Sequence, residues 1–166
     1  MALYLIANGA CQTTAKFVAV TTGTTLKTLL QVKASATLPF KIFEWGISFD
    51  ASAAATPGKV ELIETDVAAT VTAAVAADIT KYDGAALLSG DPTTNLIQVG
   101  TTATGYTASG EGTITTVRNL AGPQLIAPTN QFIQQFPLGR EPLVQISKFA
   151  RIRVTFGTTV NAYAYM

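Results

Sequence analysis

The densest carboxylate group in this 166-residue chain is Glu61, Glu64 and Asp66. Acids that close could hold calcium, but that ion needs about six to eight converging oxygens, and no spaced ligand loop accompanies these three. On an extended strand Glu61 and Glu64 fall on opposite faces, so without a bulge they do not cooperate. Glu44 and Glu111 are the acids a glycosidase could pair, one as proton donor and one as base or nucleophile, but both read far more readily as solvated strand or turn residues. Gly105, Gly110 and Gly112 flank Tyr106 and Glu111 in a Thr/Ser/Gly run. No phosphate-binding lysine follows, and neither dinucleotide nor nucleotide-loop spacing is matched, so the run reads as hairpin turns. No catalytic residue, cofactor site or metal site is assigned.

The missing residue types exclude more. With no histidine, the chain builds no histidine general base, no histidine-ligated zinc or haem, and no Ser-His-Asp triad. Cys11 is the single cysteine, which forms no internal disulfide or thiolate cluster and reads as a small packing residue. The N-terminal apolar run Ala2–Ala7 has no basic segment before it, the first cationic side chain being Lys16, so no secretory signal is expected. No apolar run reaches the ~18 residues of a spanning helix. The expectation is a soluble chain made in a reducing cytosol.

Eleven basic and ten acidic side chains leave a formal charge of +1, which argues against nucleic acid and against a polybasic membrane anchor. Arg151 and Arg153, joined by Lys148 and Arg140, could form a small basic face, better suited to an inter-subunit salt contact or to solvent. Only 13% of residues are charged while 48% are hydrophobic, and mean hydropathy is +0.34; such a surface suits a protein covered by protein neighbours. Trp45 could be a sugar-stacking platform, but its strand neighbours favour the core. Tyr82, Tyr106, Tyr163 and Tyr165 are better candidates for surface contact.

The elements that would position these groups are strands. Thr and Ala occur about 26 times each, a bias that fits strands joined by small-residue turns. Alternation is clearest over Phe40–Phe49, where Phe43, Trp45, Ile47 and Phe49 share a face, and over Lys59–Thr65 and Arg151–Phe156. In the last of these Ile152, Val154 and Phe156 point inward while Arg151, Arg153 and Thr155 point out. In Val160–Met166, Tyr163 and Tyr165 oppose Val160, Ala162 and Ala164. Further strands are expected at Leu3–Ala7, Lys16–Val20, Leu26–Val32, Asn95–Val99, Thr113–Val117, Gln131–Phe136 and Leu143–Ile146. Ala51–Gly58 reads as a loop. Val67, Val71, Val75 and Ile79 recur every fourth residue like a helical stripe; strand is preferred because β-branched valines and threonines are stiff. A short helix is expected around Asp78–Leu88. Pro123–Pro142 reads either as an extended strand laid along a neighbour or as an internal crossover.

About ten strands in one domain spanning residues 1–166 imply an all-β antiparallel β-sandwich, preferably a jelly roll, with at most one or two short helices. Surface scaling gives roughly 25,000 Å² exposed unfolded and roughly 8,000 Å² folded, a core that needs no staple.

Several segments together resemble small structural proteins of tailed-bacteriophage virions: Ala2-Leu3-Tyr4-Leu5-Ile6-Ala7-Asn8, Phe43-Glu44-Trp45-Gly46-Ile47-Ser48-Phe49-Asp50, Pro128-Thr129-Asn130-Gln131-Phe132, Pro137-Leu138-Gly139-Arg140-Glu141-Pro142 and Arg151-Ile152-Arg153-Val154. The resemblance is one of style over most of the chain and comes with no site motif. It implies a β-sandwich capsid decoration (cement) protein on the outside of an icosahedral head, binding the major capsid protein, often as a homotrimer, assembled into the virion after synthesis in the host cytoplasm. Tail- or baseplate-associated sandwiches of this size are the alternative, and from another class a carbohydrate- or receptor-binding module. The resemblance implies no enzyme activity, cofactor, nucleic-acid or membrane partner.

Overall fold

The computed structural model describes residues 3–9, 14, 16–50, 56–82, 97–100 and 103–166. Along the chain the first strands are β1 (Tyr4–Ile6), β2 (Val20–Thr21), β3 (Lys27–Ala34), β4 (Phe40–Lys41), β5 (Glu44–Phe49), β6 (Gly58–Thr65), β7 (Thr70–Ala73) and β8 (Ile79–Lys81). They continue as β9 (Ile97–Gln98), β10 (Gly105–Gly110), β11 (Val117–Ile126), β12 (Gln131–Gln135), β13 (Leu143–Val144), β14 (Phe149–Thr155) and β15 (Asn161–Tyr165). Among the described residues one 3₁₀ turn, Ala76–Asp78, lies between them. The protein is an all-β antiparallel sandwich, and its accessible surface of 8221 Å² matches the scaling expectation.

One sheet has seven strands in the order β11-β6-β14-β3-β10-β7, with β9 also on β3; the other has four, β12-β5-β15-β2. Two ribbons, β1-β8 and β13-β4, extend them. β1 is tied to the end of β15, because Ile6 and Met166 exchange backbone bonds of 2.9 Å. Buried Asn8 continues this ladder with its side chain: its Nδ2 donates to the Ala162 carbonyl at 3.0 Å, and its Oδ1 accepts from the Ala164 amide at 3.1 Å.

The core lies between the sheets. Leu30, Ile152 and Leu62 align across β3, β14 and β6, facing Trp45, Ile47 and Phe49 of β5. On the core face of the small sheet alanines sit beside large neighbours, Ala162 opposite Phe49 and Ala164 opposite Ile47, so small and large side chains alternate along the ladder. The next residue along each strand of the large sheet points the other way. There Gln31, Arg151 and Ile63 align, and all three are fully buried, although Ile63 is no part of the intersheet core. The centre of the large sheet, at β3, β14 and β6, is therefore covered on both faces.

Several expected elements differ. The strand Phe40–Phe49 is broken at Ile42-Phe43: β4 pairs with β13 while β5 pairs with β12, because the turn Pro137–Pro142 lies between those two pairing strands. Of Lys16–Val20 only Val20 is in a strand, and Thr113–Thr116 form none, β11 starting at Val117. Their threonines bond to side chains instead, Thr115 and Thr116 to Asp66. The valine stripe follows the strand preference at Val71 in β7 and Ile79 in β8, while Val67 and Val75 lie outside the strands. The helix expected over Asp78–Leu88 is overturned at Ile79–Lys81, which form β8 against β1, while 83–88 lie outside the described residues. So do Cys11, residues 51–55 of the expected loop and 95–96 of the strand expected at Asn95–Val99.

Gly105 pairs with Gln31 on one side and Ala73 on the other, and a Cβ there would run into the Thr72 carbonyl. A backbone atom cannot swing away, so Gly105→Ala should lower the urea unfolding free energy by about 1–3 kcal/mol. Gly122→Ala, where a Cβ meets nothing within 4 Å, should leave it within about 0.5 kcal/mol.

Candidate functional site

The polar groups that could carry chemistry are divided among separate places. On the outer face of the large sheet, Arg151 of β14 is 0% exposed. Its Nη1 donates to the Glu111 carbonyl at 3.0 Å and lies 3.4 Å from Glu111 Oε2; its Nη2 donates to the Val67 carbonyl. The Nε finds no acceptor among the described residues. Burial, opposed by Glu111, pushes the guanidinium down to about 10. The Glu111 carboxylate also accepts from Thr28, at 2.5 Å from the amide and 2.6 Å from the hydroxyl. Beside it, Gln31 Nε2 donates to the Ala103 carbonyl at 2.6 Å, and its Oε1 accepts from the Ala69 amide at 2.7 Å. Asp66 accepts from the amides of Thr115 and Thr116, at 3.2 and 3.1 Å, and from the Thr115 hydroxyl. These bonds strap segments 66–69, 103–104 and 111–116 over the sheet.

Arg151 and Arg153 do point away from the sandwich, as their alternation requires, yet they form no open basic face. Arg151 is roofed over, and Arg153 is bonded to Glu61 at 2.5 Å, which also holds Lys59 at 3.4 Å. Arg140 belongs to the turn after β12, donating its amide to the Pro137 carbonyl. Glu64 points to the opposite face, as expected from its spacing to Glu61. It takes Arg118 at 2.7 Å and the Gln145 amide at 2.8 Å, joining the large sheet to the chain just after β13. Glu61, Glu64 and Asp66 are thus spent in three different places, and no group of three or more potential metal ligands gathers among the described residues.

Glu44 is not near Glu111: it lies on the outer face of the small sheet, beyond the whole sandwich. Tyr165 Oη donates to its Oε1 at 2.5 Å and Gln135 Nε2 to its Oε2 at 2.5 Å. The Tyr165 bond, then the Gln135 bond, holds the Glu44 carboxyl below its ordinary value. Burial first, then Glu44, pushes the Tyr165 phenol up to about 12. Tyr165 packs flat over Gly46, whose place no larger residue could take without displacing the ring. Next to it Tyr163 stacks on Phe17 with ring centroids 5.1 Å apart. Trp45 is in the core, against Phe132 at 5.2 Å, its Nε1 donating to Gln134 at 3.1 Å. Tyr82 is exposed and Tyr106 half-buried.

Between the β1-β8 and β4-β13 ribbons opens a cleft of about 740 Å³, lined by Leu3, Ile6, Phe40, Ile42, Leu143 and Met166 among others. Its charged members, Lys41 and Glu44, are held by Glu141 at 3.2 Å and by Tyr165. It offers shape and apolar contact rather than a mobile proton. The strands β11 and β12 form a third region. Joined by a tight turn in which the Asn130 amide donates to Ala127, they pass from the edge of one sheet to the edge of the other, so Pro123–Pro142 crosses between layers. Along this flank Val117, Leu125 and Ile133 are 58%, 79% and 53% exposed.

The Gln31–Arg151–Glu111 cluster was not foreseen. One signal was present: Gln31 interrupts the apolar run Leu29-Leu30-Gln31-Val32, and a polar residue in a strand that reads as buried on both faces calls for a partner. No family model, curated protein or solved structure matches this chain.

Removing one partner of a buried ion pair strands the other. Glu111→Ala is expected to cost about 3–5 kcal/mol in urea unfolding, and a cycle with Arg151→Met should return a coupling energy of about 1–3 kcal/mol. The small sheet carries a pH signature. Because folding lowers the Glu44 pKa from 4.5, its contribution is complete above that pH and is lost as pH falls through the lowered value. Because folding raises that of Tyr165 from 10.0 to about 12, its contribution is complete below pH 10 and is lost as pH rises through 12. Glu44→Gln should flatten the acid limb of the stability profile below about pH 4.5, and Tyr165→Phe the alkaline limb above pH 10.

Proposed function

We propose that this chain is a non-enzymatic structural protein of a bacteriophage virion, a decoration protein that binds the major capsid protein on the outside of the head and stabilises subunit junctions. The virion assignment rests on the segments quoted above, from Ala2–Asn8 to Arg151–Val154. The observation that carries the mode of action is the division of labour on the surface. Glu44, Glu61, Glu64, Asp66, Glu111, Arg151 and Arg153 are committed to internal pairs, while large apolar side chains stand exposed along the β11–β12 flank. A protein that works by association needs that arrangement, because interface centres are depleted of charge and stability grows with each copy bound. The ~740 Å³ cleft adds a second apolar surface that a neighbouring chain could enter.

The tyrosines favour one other reading. Tyr163 stacked on Phe17, with Tyr165 and Glu44 beside it, is an aromatic strip on which a sugar ring could lie. Binding to a glycan array that is lost in Tyr163→Ala would support that reading over the first.

The direct test uses heads of the cognate virus lacking this protein. Added chain should cosediment with them at saturating stoichiometry and raise the temperature at which they release DNA. Binding to tails but not heads, or to neither, would overturn the assignment.

A further inference from the structure

An unpaired sheet edge is a template for another strand, and folded proteins blunt such edges with bulges, proline or charge. Three of the edges here are blunted. β11 carries two register shifts, Pro123 and Arg118; β2 has two residues and β7 four. β12 differs. It is regular throughout its pairing with β5, has the sequence Gln-Phe-Ile-Gln-Gln without charge, glycine or proline, and among the described residues no strand lies on its far side.

The direction of its free groups follows from its ladder. The Phe49 amide donates to the Asn130 carbonyl at 3.2 Å, and the Phe136 amide to the Phe43 carbonyl at 2.8 Å. Bonded and unbonded pairs alternate in an antiparallel ladder, so residues 130, 132, 134 and 136 face β5. The backbone N–H and C=O of Gln131, Ile133 and Gln135 therefore point out from the edge. Their side chains share the solvent side of the sheet, with Gln131 and Gln135 exposed and Ile133 53% exposed.

We propose that β12 pairs antiparallel with β12 of a second copy of this chain, about a two-fold axis at Ile133, joining two four-stranded sheets into one of eight. The occupant is indicated by the pattern itself. Read in either direction the outward residues are Gln, Ile, Gln, which is the self-complementarity an isologous contact requires. Gln131 meets the partner's Gln135, whose Nε2 is held by Glu44 and whose Oε1 is left to accept from the Gln131 side-chain amide, and Ile133 meets its own equivalent. Pro128 and Pro137 bracket the strand and limit the pairing to these residues. This contact does not depend on the virion reading, and it differs from the threefold assembly that the resemblance implies.

Sedimentation equilibrium of the full chain should fit a monomer–dimer equilibrium. Ile133→Lys places like charges face to face at the axis and should weaken the dimer about tenfold or more. Gln131→Lys with Gln135→Lys should do the same, whereas Gln131→Glu with Gln135→Lys sets each Glu against the partner's Lys and should keep the dimer. Residues exchanging both bonds across a ladder have Cα atoms about 5.5 Å apart, within disulfide reach. Ile133→Cys should therefore form a covalent dimer on mild oxidation, while Leu138→Cys and the parent chain, with Cys11 alone, should not. A purely monomeric or trimeric mass, with no cross-linking at 133, would overturn the proposal. So would a dimer indifferent to the lysine substitutions.

Discussion

The structure turns on a buried guanidinium. Taking a charge out of water costs several kcal/mol unless acceptors replace the solvent, and Arg151 stands in the middle strand of the large sheet on the face that a two-layer sandwich would leave wet. Its acceptors, the Val67 carbonyl and the carbonyl and carboxylate of Glu111, come from segments with no regular structure of their own. Arg151 can stay charged there only while those segments cover it, and its bonds, together with those of Thr28, Gln31 and Asp66, hold them down. Gln31 repeats the device one strand away, using both ends of its amide on Ala69 and Ala103. Side chain–backbone bonds thus take the place of a third layer of secondary structure.

This closure decides which surfaces remain for other molecules. With the centre of the large sheet roofed on one face and packed in the core on the other, exposed surface is found on the β11–β12 flank, the outer face of the small sheet and the apolar cleft, among other places. Among the described residues, the acids at these places are already bonded. Glu44, the carboxylate on the small sheet, is occupied by Tyr165 and Gln135 and held in its ionised form. Glu111, the other acid a hydrolase would have needed, is locked to Thr28 and Arg151 on the far side of the sandwich. What these surfaces show is exposed apolar area and, along β12, an unpaired sheet edge, the features on which the proposed association rests.

The parts of the fold legible in the sequence were those where one face is wet or small. Asn161–Tyr165 reads correctly because tyrosines alternate with alanines that must fit under β5. Trp45, Ile47 and Phe49 fall on the core face for the same reason. Alternation fails for Arg151: it tells which way the side chain points but not that a distant loop covers it, since the covering residues lie at Val67 and Glu111. The valine stripe was ambiguous because a spacing of four residues is also a multiple of two; the stiffness of β-branched side chains favoured strand, and Val71 and Ile79 do lie in β7 and β8. Thr113–Thr116 look like a strand by composition, yet their hydrogen bonds go to the Asp66 carboxylate. The break at Ile42-Phe43 comes from the turn Pro137–Pro142 on another strand. Among the candidate residues, the separation of Glu61 from Glu64 and the core role of Trp45 could be read in advance, whereas the pairing of Glu111 with Arg151 needed the tertiary structure.

Native-state hydrogen exchange tests this closure most directly. The amides of Thr28, Ala69 and Thr115 donate to Glu111, Gln31 and Asp66. If Arg151 and its neighbours hold the roof down, these amides should exchange only through global unfolding, at the rate of core amides in β14 and β6. Exchange at the rate of an exposed loop, with β14 and β6 still protected, would contradict the account.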